Sequence, residues 1–202
     1  MAFNSFMHER NIYKNRPDFI KIATDYPEFR KYVDYDRKSK GRIDFTNTAA
    51  LRALTKVLLK KDFNLSVEIP DGFLIPTIPQ RLNYILWIED LLTAIPQKNE
   101  IARTISIFSF GTKKNNWQFV STETTDEAIN WAEKNILTNN LDSSIKVVKV
   151  SKDSILQEIL TADEKSYDFC LCNPPFFENI DDIRKKSPKV KEKIGKKRKI
   201  FL

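Results

Sequence analysis

The apolar positions of this chain change their spacing once, close to residue 101. Before that point the period is helical and broken by prolines. Residues 47–61, NTAALRALTKVLLKK, set Leu51, Leu54, Val57 and Leu58 on one stripe, with Asn47 or Thr48 placed to cap the helix. Residues 80–95, QRLNYILWIEDLLTAI, predict a second helix, apolar on most sides and therefore well buried. Between them FNLSVEIP alternates like a short strand, and PDGFLIPTIP reads as a loop punctuated by proline. Earlier still, RPDF and YPEF repeat a Pro-acid-Phe pattern that predicts short helical turns with Pro near the first position.

After the polar break PQKNE the rhythm is different. ISIFSF is apolar and ambiguous. WQFVSTE, residues 117–123, predicts a strand that ends in an acid. Residues 124–140 predict a helix with a capping box at Thr124 and Glu127 and an inner stripe of Ile129, Ala132 and Ile136. IKVVKV (145–150) reads as a strand, DSILQEIL (153–160) as a short helix and YDFCLC (167–172) as a strand. Strand, helix, strand, helix, strand is the rhythm of a parallel, doubly wound α/β sheet. Such strands are apolar throughout because helices cover both faces.

Charge changes the picture in one place. The net charge of +7 is carried by residues 184–199, which hold ten Lys and Arg against one Glu. The rest of the chain is slightly acidic, so the basic character belongs to a tail: a solvated disordered end, a nuclear localisation signal or a nucleic-acid contact. No apolar run reaches the ~18 residues of a membrane span, and the N-terminus lacks the apolar core of a signal peptide. Cys170 and Cys172 have no Cys or His cluster to complete a metal site and are expected to be buried thiols in a reducing compartment. His8 likewise has no metal partners, and no metal is expected.

In an open parallel sheet, ligands bind outside the carboxyl ends of the strands. Two predicted strand ends carry suggestive residues. Glu123 closes the first, where an acid accepts both ribose hydroxyls of a nucleotide cofactor; the alternative is an acid complementing the dipole of the next helix. The second end runs into Asn173-Pro174-Pro175-Phe176. The Asn173 side-chain oxygen and the Pro174 carbonyl can each accept one hydrogen of a planar NH₂ group, and the prolines hold those acceptors still. Phe176 can stack on the flat group that bears the amine. This suits methylation of an exocyclic amine; the alternative is an ordinary strand-ending turn.

Several longer stretches then align in order: MHERNIYKNRPDF, ALRALTKVLLKKDFNLSVEIP, LIPTIPQRLNYILWIEDLL, TETTDEAINWAEKN, IKVVKV and YDFCLCNPPFF. Over roughly residues 5–180 the sequence resembles the methyltransferase-like protein 16 family, adenine-N(6) methyltransferases of U6 small nuclear RNA and messenger RNA hairpins. The bacterial large-subunit ribosomal RNA methyltransferase F is a more distant likeness. The resemblance implies a Rossmann-like α/β fold using S-adenosylmethionine, structured RNA as partner, a monomer, and a place in the nucleus or also the cytoplasm. It implies an N-terminal helical extension over 1–97 that grips RNA, a partial methyltransferase core over 98–180 and a basic disordered tail over 181–202. It places Asn173, Pro174, Pro175 and Phe176 around the target adenine and Glu123 on the cofactor ribose. Arg81 falls near the cofactor's methionine carboxylate, and Ser154, where the family has Thr, near its adenine. His8, Arg10, Lys14 and Arg16 fall in the RNA-gripping arm.

The sequence departs from the family twice. The family closes its first strand with a glycine-rich loop, Asp-Ile-Gly-Thr-Gly, whose glycines let the backbone approach the cofactor. Here RTISIFSFGTKKNNW holds one glycine, Gly111, only six residues before Trp117. The four glycines of the whole chain agree with a missing loop. After FFENI the family continues its sheet, whereas this chain enters the basic tail. An incomplete Rossmann-like fold is therefore expected, with an exposed sheet edge and impaired catalysis. Two other readings stay open: a non-catalytic RNA-binding fragment, and a methyltransferase for a protein glutamine amide. The missing loop predicts weak cofactor binding. Isothermal titration of this chain with S-adenosylmethionine should give no Kd as tight as about 1 μM; a Kd at or below that value contradicts the missing loop.

Overall fold

The structure is a computed structural model, and it describes residues 6–35, 41–94, 117–151, 158–159 and 167–171. The segment 101–116, the second helix of the βαβαβ reading apart from Glu158 and Ile159, and everything from Cys172 onward lie outside these residues. Glu158 and Ile159 are helical, as that reading requires.

The first half is helical. A 3-10 turn at Ile12–Lys14 is capped by the Asn11 side chain, which accepts from Tyr13 N–H. Asp18 caps α1 (Phe19–Asp25) by accepting from Lys21 N–H, so Pro17 stands just outside the helix rather than in it. Pro27 does open the next 3-10 turn, Pro27–Tyr32. α2 (Thr48–Phe63) starts at Asn47, whose side chain accepts from Ala49 and Ala50 N–H. It stops at Asn64, which takes the left-handed conformation at φ 53° while Leu65 N–H turns back to the Leu59 carbonyl. α3 spans Ile78–Ala94.

The second half opens with β1 (Phe119–Glu123), α4 (Asp126–Thr138) and β2 (Ile145–Lys149). β1 and β2 pair in parallel, Phe119 opposite Ile145 and Glu123 opposite Lys149, with α4 packed on both. This is one βαβ unit, as the periodicity predicts. The third predicted strand is less regular: of residues 167–171 only Cys170 forms a bridge. It alternates, with Phe169 and Leu171 packed against the core and Asp168 and Cys170 exposed. Trp117, Phe119 and Phe169 hold it through edge contacts, the Trp117 and Phe169 rings 5.3 Å apart.

Several expectations are corrected. FNLSVEIP forms no strand. Its backbone is paired instead by side chains at the end of α4, Asn135 and the C-cap Asn139: Ser66 N–H donates to Asn139 Oδ1 at 2.9 Å and Glu68 N–H to Asn135 Oδ1 at 2.8 Å. Each amide also donates back, Asn139 Nδ2 to the Ser66 carbonyl and Asn135 Nδ2 to the Glu68 carbonyl. The two asparagines, one helical turn apart, take the place of a neighbouring strand. The predicted capping box does not form: Thr125 and not Thr124 caps α4 by accepting from Ala128 N–H, and the third helical position is Ala128, whose methyl group cannot reach back. Cys170 is exposed because its neighbours face the core. β2 is less buried than a strand covered on both faces should be: Lys146 and Lys149, which point to opposite faces, are exposed, and Val147 and Val148 are half-buried. α3 buries Ile78, Leu82, Ile85, Leu86 and Ile88, yet Tyr84, Trp87 and Leu91, spaced three and four residues apart, stand on its exposed side.

One apolar core runs through both halves. Phe19, Phe29, Leu54, Leu58, Leu82 and Leu86 of the first half share a cluster with Phe119, Leu141 and Ile145 of the second. Replacing Asn135 and Asn139 together by Ala should cost about 2 kcal/mol in urea unfolding and remove hydrogen-exchange protection from the Ser66 and Glu68 amides. Retained protection at both amides contradicts the pairing.

Candidate functional site

At the carboxyl end of β1, three polar residues in succession are buried: Ser121, Thr122 and Glu123. Glu123 is the most deeply buried of them, at 3% exposure. Its carbonyl accepts from Val150 N–H at 2.9 Å, which extends the parallel pairing past the strand tip. Its carboxylate Oε2 accepts from Thr124 N–H at 3.3 Å. The helix-dipole role is already filled: Thr125 caps α4, and Asp126 and Glu127 occupy its first turn. A buried acid beside strand end and helix start can accept from a vicinal diol, the arrangement expected of a ribose site.

Arg81 lies in the first turn of α3 and is half-buried. Burial pulls its guanidinium below the usual arginine range, with Tyr84 acting weakly the other way. No described acid pairs with it. A half-buried cation with no acid beside it among the described residues suits an anionic ligand group such as a carboxylate.

The N-terminal arm lies along α3. His8 is buried, its backbone N–H donating to Asn83 Oδ1 at 2.6 Å and its ring Nε2 lying 2.7 Å from Asp90 Oδ2. Arg10 N–H donates to His8 Nδ1 at 3.2 Å, which leaves the ring proton on Nε2, directed at Asp90. The Arg10 side chain donates to Glu89 Oε2 at 2.7 Å, to the Leu86 carbonyl at 3.2 Å and to Asp90 Oδ1. The hydrogen bond to Glu89 is the main cause raising the Arg10 guanidinium further, and the one from His8 is the main cause lowering the Asp90 carboxyl. Asn11 Nδ2 donates to the Pro79 carbonyl at 2.9 Å. Arg16 donates to the Gly41 carbonyl and lies over the Phe19 ring, 5.2 Å from its centre. Lys14 is half-buried, and no described acid pairs with it.

The structure thus brings His8 and Arg10 together on α3, the helix that begins near Arg81, and sets Glu123 at a strand end. Asn173, Pro174, Pro175, Phe176 and Ser154 lie outside the described residues; Asn173 follows two residues after Leu171. The reading of the sequence missed Glu89, Asp90 and the pair Asn135 and Asn139. The i, i+4 spacing of the two asparagines was the available signal; adjacent acids on a helix gave none. Among the described residues no three His, Cys, Asp or Glu side chains gather as a metal site, and no helix is long and apolar enough to cross a membrane.

A parallel strand pair with a crossover helix and a buried acid at the first strand's tip define the class as a Rossmann-like α/β fold of the kind that binds nucleotide cofactors. Residues 1–200 match a family described as RNA methyltransferase. The chain belongs to the methyltransferase-like protein 16 family of RNA methyltransferases. It is 43% identical over 199 residues to a Caenorhabditis elegans U6 small nuclear RNA (adenine-(43)-N(6))-methyltransferase, covering 90% of this chain and 41% of that protein. It is 43% identical over 190 residues to the human RNA N(6)-adenosine-methyltransferase METTL16, covering 89% of this chain and 34% of the relative. The chain thus spans well under half the length of these relatives. Among solved structures, the METTL16 MTase domain superposes with a TM-score of 0.77 at 40% identity, covering 92% of this chain and 76% of that one. A human METTL16 N-terminal domain in complex with SAH gives 0.75 at 42%, covering 86% and 72%. A human catalytic domain in complex with the MAT2A 3'UTR hairpin 6 gives 0.74 at 41%, covering 89% and 64%.

Arg81 has no acid partner among the described residues, and this can be tested. Arg81→Met removes a cation that burial disfavours, so the melting temperature of the ligand-free chain should hold or rise. A lower melting temperature means that Arg81 has an internal structural partner.

Proposed function

We propose that this chain is the part of an RNA adenine-N(6) methyltransferase that holds S-adenosylmethionine and the target adenosine of a structured RNA. The observation that carries this reading is Glu123: a nearly fully buried carboxylate at the carboxyl end of a parallel strand, not needed to cap the helix that follows. The residues present fit the cofactor. Glu123 would accept from its ribose hydroxyls, and Arg81 would face its methionine carboxylate. When bound, the cofactor supplies an electrophilic methyl group.

The remaining chemistry belongs to the chain. Asn173 and the Pro174 carbonyl would accept the two amine hydrogens of the adenine, orienting the nitrogen lone pair and dispersing the positive charge the nitrogen gains. Phe176 would stack on the base, and the two prolines keep the acceptors fixed. No strong base is required, because the methylated nitrogen can release its proton to water. Lys14 and Arg16, with the basic stretch 184–199, supply cations for RNA phosphates. A nuclear place fits a small nuclear RNA substrate. Only one glycine stands between residues 101 and 116, so cofactor binding should be weak and methyl transfer slow below saturating cofactor.

The reading is tested by tritium transfer from labelled S-adenosylmethionine, at millimolar concentration, to an RNA hairpin or to a glutamine-bearing peptide. Label should appear in the RNA as N(6)-methyladenosine, and Glu123→Ala and Asn173→Ala should each lower it at least tenfold. Label in the peptide alone favours the glutamine methyltransferase. Salt-dependent hairpin binding without any label favours the non-catalytic fragment.

A further inference from the structure

The arm residue Arg10 is held by two carboxylates of α3. Its guanidinium reaches Glu89 through one terminal nitrogen, and Asp90 and the Leu86 carbonyl through the other. Asp90 is engaged a second time by His8, whose ring is buried and edge-on to Trp87 at 5.0 Å between centres. Both terminal nitrogens of Arg10 are thus already donating to α3, and a phosphate approaching Arg10 meets the two carboxylates that hold it.

We propose that Glu89 and Asp90 form a latch that holds Arg10 against α3, and that structured RNA engages Arg10 only by displacing them. This rests on the reading of the chain as an RNA-binding methyltransferase and adds a competition within it. The His8 anchor explains why the arm would stay seated when the latch opens. The His8 backbone bond to Asn83 and the Asn11 side-chain bond to the Pro79 carbonyl do not involve either carboxylate, so only the Arg10 side chain need swing out. The Arg10 side chain is 41% exposed, which leaves it a path into solvent.

The test is fluorescence anisotropy of a labelled RNA hairpin with the full chain as wild type, as R10A, as E89Q/D90N and as R10A/E89Q/D90N. In the wild type, R10A should change affinity less than twofold. E89Q/D90N should tighten binding about tenfold and steepen the salt dependence by about one counterion, and both gains should vanish when R10A is added. A gain that persists in the triple variant is general charge attraction and overturns the latch. So does unchanged or weaker binding by E89Q/D90N. Should the double variant fail to fold, E89Q alone carries the same expectations at a smaller size. Hairpin binding by the wild type with no response to these changes rejects the latch and leaves the RNA reading standing. No hairpin binding by any form rejects both.

Discussion

The structure depends on a seam. The helical first half contributes Leu54, Leu58, Leu65, Leu82 and Leu86 to the core that Phe119, Leu141 and Ile145 complete. At its edge, Asn135 and Asn139 supply side-chain amides where a sheet would supply a strand, making four hydrogen bonds to Ser66 and Glu68. Apolar burial holds the halves together, but burial is non-directional. The amides add direction: their planes and their one-turn spacing fix how the segment 64–70 lies on α4. The proposed cofactor contacts come from opposite sides of this seam, Arg81 from α3 and Glu123 from β1. A site built from both needs the seam to be rigid.

α3 has a second task. Its first turn carries Arg81 and its last two turns carry the acids that receive His8 and Arg10. A single rigid helix therefore lies under both the proposed methionine end of the cofactor and the arm that would meet RNA. The first residues of the chain are thus tied to α3 by specific hydrogen bonds as well as by charge. Of its four expected RNA contacts, only Lys14 is without a described partner for its charge.

Much of this was legible in the sequence because it rests on periodicity and on local capping chemistry. α2 begins at Asn47, α3 covers the predicted second helix, and β1, α4 and β2 follow the βαβ reading within two residues. Glu123 was legible because a strand end is a topological position. What failed were readings that depend on a neighbour far along the chain. FNLSVEIP alternates like a strand, but its partner is a helix face bearing two asparagines, and alternation cannot name a partner. Cys170 reads as buried in an apolar run, yet the third strand is covered only on the side of Phe169 and Leu171. The exposed stripe of Tyr84, Trp87 and Leu91 shows the same limit: composition says that a helix is apolar, not which side is covered. The arm's cations were read by their charge, and their acid partners lie some eighty residues away.

The central claim is that the tip of β1 and the start of α3 together receive the cofactor. ¹H–¹⁵N spectra of the chain, titrated with S-adenosylhomocysteine to millimolar concentration, test it most directly. The account expects progressive shifts of the amides of Glu123, Thr124 and Arg81, lost in Glu123→Ala, with Ser66 and Glu68 unmoved. Shifts that bypass β1 and α3, or no shifts at millimolar ligand, would contradict it.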